Sequence, residues 1–95
     1  MGAHNFADWS DGDTPEEAYG KAVDDAYFEY GHDPYNGTIT TTRGFVLIPL
    51  NEGESVDEWL MRVIEDDRVQ KWENCACVQD PDDPKKWFFA GWAAS

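Results

Sequence analysis

Two helix starts are written into this chain, and every other segment has to be fitted around them. Thr14-Pro15-Glu16-Glu17 offers an N-cap hydroxyl, a proline at the first helical position and a glutamate three residues after the cap. Cap and glutamate can then satisfy each other's orphan backbone N–H groups. Ser55-Val56-Asp57-Glu58 repeats the arrangement. Acids in both first turns meet the positive end of the helix dipole. The first helix is expected to run to about Tyr30, closed by Gly31. Its apolar stripe is Tyr19, Ala22, Val23, Ala26, Tyr27 and Tyr30. Alanines at 18, 22 and 26 permit close approach to a sheet, while Glu17, Lys21, Asp24, Asp25 and Phe28 fall on the opposite face. The second helix is expected to reach about Asp66, burying Val56, Trp59, Leu60, Val63 and Ile64, with a short helical turn after it.

Strand patterns occupy the intervals. Residues 1–10 alternate His4, Phe6 and Asp8 against Ala3, Asn5 and Ala7, which fits a short strand. Residues 38–50 are rich in β-branched and aromatic types and contain no acid; Arg43-Gly44 divides them into two strands or bends one at a bulge. Phe45-Val46-Leu47-Ile48 is a continuous apolar run, as in a central strand buried on both faces. Residues 73–79 and 87–93 read as a closing hairpin with a long acidic tip at Asp80-Pro81-Asp82-Asp83-Pro84. The order β-α-β(β)-α-β-β gives an α+β fold: a four- or five-stranded, mostly antiparallel sheet with two helices packed on one face. The other face would be covered only partly, by loops. Ninety-five residues suffice for one domain over 1–95, and fourteen aromatic rings can supply much of its core.

Charge decides which partners are open to such a domain. Twenty acids face seven bases, a net charge of −13, beyond the roughly 2–8 that keeps a small domain soluble. Phosphate contacts need clustered Lys and Arg, so direct nucleic-acid binding and anionic membranes are disfavoured. A basic protein or nucleoprotein surface is favoured. No stretch approaches the roughly 18 apolar residues of a membrane helix, and the start lacks the charged and apolar regions of a signal peptide. Cys75 and Cys77 are the only cysteines; two residues apart on a strand they are poorly placed for a mutual disulfide and read as reduced thiols of a cytoplasmic protein. Asn36-Gly37-Thr38 matches a glycosylation sequon but, without secretion, reads as a turn.

Catalytic and metal chemistry find little support. Cys75, Cys77, His4 and His32 are zinc-ligand types without zinc-ligand spacing, so no metal or other cofactor is expected. His32 next to Asp33 is the sole candidate for an enzyme's base, and a helix C-terminus explains it better. The acidic pairs Asp24-Asp25, Asp66-Asp67 and Asp82-Asp83 fall on helix faces and turns, where carboxylates are solvated. No phosphate-cradling loop or nucleophile motif is present, and the chain is not expected to be an enzyme.

The acids themselves are the stronger lead. Residues 1–35 hold nine against one base, Lys21. Helix acids three or four apart lie about 5–6 Å from each other, and a line of them imitates the charge of a nucleic-acid backbone. Phe28, Tyr35 and Trp9 are expected at the surface beside acids, as in interface hot spots rimmed with charge. The expected partner-binding set is therefore Glu17, Asp24, Asp25, Phe28, Glu29, Tyr35, Asp8 and Trp9.

Met1-Gly2-Ala3-His4, the run Tyr-Gly-His-Asp-Pro-Tyr-Asn-Gly-Thr-Ile at 30–39 and Phe-Phe-Ala-Gly-Trp-Ala at 88–93 resemble small proteins of bacteriophages and mobile elements. That group carries no activity or site residue to transfer. In size and charge it is similar to inhibitors of bacterial defence, the anti-CRISPR and anti-restriction proteins, which implies blocking of a nucleic-acid channel in the host cytoplasm. The alternative expectation is an interaction protein of another kind, a phage assembly factor or antitoxin-like neutraliser, using an uncovered sheet face around Thr38 to Thr42.

Overall fold

The computed structural model describes residues 3–30, 39, 42–69 and 73–94. Its elements are β1 (Ala3–Asp11), α1 (Pro15–Tyr30), β2 (Phe45–Leu47), α2 (Val56–Val63), β3 (Cys75–Asp80) and β4 (Asp83–Ala94). One sheet forms in the order β1-β4-β3-β2. β4 is antiparallel to both neighbours, and β2 runs parallel to β3. The sheet is thus mixed, within the expected α+β class.

Both helices start where the sequence places them, α2 with the full reciprocal box and α1 with its glutamate reaching one residue before the cap. At α2 the Ser55 side chain accepts from the Glu58 N–H at 3.2 Å, and the Glu58 carboxylate accepts from the Ser55 N–H at 3.0 Å. At α1 the Glu17 N–H donates to Thr14 Oγ1 at 3.2 Å, while the Glu17 carboxylate accepts from the Asp13 N–H at 3.2 Å. A cap of this kind contributes about 0.5–2 kcal/mol. Arg62 then ties the preceding turn to α2, with Nε and Nη2 donating to the Glu54 carboxylate at 2.9 and 2.8 Å and Nη2 also reaching the Pro49 carbonyl.

The helices lie on opposite faces of the sheet, which corrects the expectation of one covered face. Cys75, Ala76, Cys77 and Val78 are all buried, so alternation along β3 sends apolar groups both ways. Cys75 and Cys77, with Trp87 and Phe89 of β4, meet Ala18, Ala22 and Ala26 of α1. Ala76 and Val78, with Phe88 and Ala90, meet Trp59 and Val63 of α2. The alanines let α1 sit close; α2 fills its side with Trp59, fully buried, whose indole N–H donates to the Ile48 carbonyl at 2.7 Å. Two further indoles stitch the layers: Trp87 Nε1 donates to the Gly12 carbonyl at 3.0 Å and Trp92 Nε1 to the Ile64 carbonyl at 2.6 Å.

Three other expectations change. The run Phe45 to Ile48 is a short edge strand rather than a central one: Phe45 and Val46 are half-buried, Leu47 is exposed, and Ile48 is buried just beyond the strand. The strand order places β3 and β4 at the centre instead. β4 begins at Asp83, opposite Asp80, so the hairpin tip is a tight turn at Pro81-Asp82 and not a long acidic loop. α2 ends at Val63, with turns in place of its expected last residues. Thr42 and Arg43 form a bend, and the rest of the expected strand 38–42, apart from buried Ile39, lies outside the described residues, as do His32 and Asp33.

Candidate functional site

β1 lies at the sheet edge and α1 packs over its inner face, so the two elements present a common flank. Lys21 Nζ approaches Asp11 Oδ2 at 3.7 Å. This ion pair fixes which side of α1 looks along β1, because residues 21, 25 and 28 fall on one helical stripe. Asp25 and Phe28 therefore follow Lys21 on the β1 side, while Asp24 turns to the face of α1 away from the sheet. Phe28 is 93% exposed, the most solvent-exposed large apolar side chain among the described residues. It cannot belong to the core. Asp24, Asp25 and Glu29 around it are exposed as well.

Asp8 completes the flank from the strand. In register it stands across from Phe89 of β4, hence on the α1 side. It keeps solvent access, yet its surroundings desolvate the carboxyl and push it above its ordinary range, and the Glu29 carboxylate adds to the rise. Burial is the larger cause. The charge on the helix thus opposes ionisation of the strand carboxyl.

The expected partner-binding residues do not all converge. Glu29 and Asp8 face each other on the flank, Asp25 and Phe28 lie on the Lys21 stripe beside it, and Asp24 lies on the face of α1 turned away from the sheet. Glu17 sits at the other end of α1, its carboxylate engaged in the cap; eleven residues of helix, about 16 Å of rise, separate it from Phe28. Trp9 is 48% exposed, as expected of a surface ring, but it stands across from Phe88 on the α2 side of the sheet. Its ring packs on Phe88 at 4.6 Å between centroids. It borders the same edge from the opposite face, together with exposed Asn5 and Ala7. Tyr35 lies outside the described residues. Sequence reasoning did not identify Asp11 or the outer edge of β1; the length of the period-two pattern up to Asp11 was the available signal.

A second concavity has a different character. Where β2 and β3 end, an open, mostly apolar groove of about 510 Å³ is lined by Leu47, Pro49, Leu50, Cys77 and Trp87. The Cys77 thiol is pushed up to about 12, chiefly by burial and then by Glu16. Cys75 beside it is pushed up further, by burial and then by Cys77. A thiol so reluctant to ionise is a poor nucleophile and a poor metal ligand. Among the described residues no three of His, Cys, Asp and Glu are grouped as a metal site would require. No described helix is long and apolar enough to cross a membrane.

No protein-family model, no curated protein and no solved structure matches this chain. The reading of its function therefore rests on its own residues.

Proposed function

We propose that this chain inhibits a bacterial defence nuclease complex, of the anti-CRISPR or anti-restriction kind, by occupying a basic nucleic-acid-binding surface. The docking face is the C-terminal half of α1 with the adjoining part of β1. Asp24, Asp25, Glu29 and Asp8 supply the negative field that a phosphate backbone would supply, and Phe28 supplies a desolvating anchor at its centre. The reading places the protein in the cytoplasm of a bacterial host and assigns it no cofactor and no catalytic residue.

The observation that carries this reading is Phe28, 93% exposed amid carboxylates. Solvation alone would select a polar residue there. A large ring surrounded by charge is the composition of an interface hot spot, with an apolar centre and a polar rim. The net charge of −13 extends the attraction to longer range and speeds encounter with a basic groove. The test is cleavage by a purified defence nuclease complex with this protein added before or after a DNA duplex. Inhibition that is relieved by excess duplex supports competition for the nucleic-acid surface. Undiminished inhibition at any duplex concentration contradicts it.

Trp9 favours a second reading. Together with Ala7 and Asn5 it forms an uncharged strip on the α2 side of β1. As an assembly factor or antitoxin-like neutraliser, the chain would dock through this strip by apolar contact, and its binding would persist in high salt.

A further inference from the structure

β1 runs over nine residues, and no described strand pairs with its outer side. Such an edge presents a row of backbone N–H and C=O groups, which proteins cover, kink or charge to keep foreign strands from adding. Neither a proline nor a bulge interrupts this one: β1 pairs with β4 residue for residue, from Ala3 opposite Ala94 to Asp11 opposite Lys86. The other edge, β2, has only three residues. The β1 edge also has two chemically different sides. Toward α1 stand the carboxylate of Asp8 and, from the helix, Asp25 and Glu29; toward α2 stand Asn5, Ala7 and Trp9, exposed and uncharged.

We propose that the outer edge of β1 receives an extended segment of a partner protein by strand addition, and that this segment alternates Lys or Arg with apolar residues. Side chains of an added strand alternate with period two and lie about 4.5–5.5 Å from their cross-strand partners. The basic set would face Asp8, Asp25 and Glu29, and the apolar set would lie beside Ala7 and Trp9. Backbone pairing supplies affinity and the alternation supplies selectivity. Charge complementarity chooses this occupant over a second copy of the chain, since two β1 edges side by side would bring together two molecules of net charge −13. Glu29 already opposes ionisation of Asp8, so a cation placed between them relieves a repulsion that the free protein carries. The inference rests on the acidic-flank reading and adds the chemistry of the partner segment.

The test is an NMR titration of the full chain with a capped peptide of about ten residues alternating Arg and Val, long enough to span a strand. Binding should move β1 and the C-terminal half of α1, and should protect the outward half of the β1 amides from hydrogen exchange. N-methylating alternate peptide residues should weaken binding at least about tenfold in one of the two patterns only, the one that removes the donors facing β1. Equal binding of both methylated peptides, unprotected β1 amides at saturation, or no binding would each overturn strand addition. None of those results touches the acidic flank itself, which falls only if a basic complex ignores charge reversal there. β1 amides that become protected in the free protein as its concentration rises would assign the edge to a second copy, and also overturn the proposal.

Discussion

Asp8 and Trp9 are neighbours in β1 yet stand on opposite faces of the sheet, Asp8 across from Phe89 on the α1 side and Trp9 across from Phe88 on the α2 side. One strand therefore carries charge to one face and an aromatic ring to the other, at an edge no described strand covers. The functional reading rests on that placement.

Asp8 should lower stability at neutral pH. Its folded-state pKa is raised above the ordinary value of 3.8, so the native state holds the proton to higher pH than the unfolded chain does. The associated stability is fully present below that ordinary value and is lost as pH rises through the raised one. Asp8→Asn should therefore stabilise the protein at neutral pH, by less than about 1 kcal/mol because water screens a solvent-accessible carboxylate. The gain should close as the acid range is entered. Asp66 has the opposite sign: hydrogen bonds from Arg68 lower it to about 2, so its contribution is present above 3.8 and lost as pH falls toward 2. Urea unfolding across this range checks both signs.

Two glycine-to-alanine changes should move stability in opposite directions. A Cβ on Gly91 would stand 3.1 Å from the Cβ of Cys75, 3.2 Å from its Cα and 3.3 Å from Val69 Cγ1. Neither backbone can yield easily, so Gly91→Ala should cost about 1–3 kcal/mol. On Gly20, inside α1, a Cβ meets nothing within 4 Å, and Gly20→Ala should gain about 0.5–1 kcal/mol. Paired urea titrations measure both.

What could be read in advance follows from how local each signal is. The cap signals at Thr14 and Ser55 act within four residues, and both helices start where those residues place them. Phe28 breaks the apolar stripe of α1, and helical phase alone sends it to solvent. The strand order is not local. Phe45 to Ile48 has the composition of a central strand, but its place at the edge depends on β4 inserting between β1 and β3. Four successive buried residues at 75–78 signal cover on both faces, a signal muted by two cysteines and an alanine. Pro84 disguised the start of β4; there its carbonyl accepts from Gln79 Nε2 at 2.8 Å. Glu17 was grouped with the docking acids although its spacing from Thr14 already assigned it to the helix start, where its carboxylate accepts from the Asp13 N–H.

Cys75 and Cys77 should be silent toward alkylating reagents in the folded protein. Both are fully buried and burial pushes both thiols up. Iodoacetamide followed by intact-mass measurement should find no adduct under native conditions and two after denaturation. Fast native modification would contradict the packing of α1 against β3.

The most direct test of the account is the salt dependence of binding to a basic, nucleic-acid-binding defence complex, comparing the natural chain with Asp24→Lys/Asp25→Lys/Glu29→Lys and with Phe28→Ala. All these side chains are exposed, so unfolding curves should show every variant folded. The account predicts that the natural chain weakens steeply with salt. The charge reversals should abolish binding, and Phe28→Ala should weaken it at every salt concentration. Unchanged affinity and an unchanged salt slope in the reversed chain would contradict it.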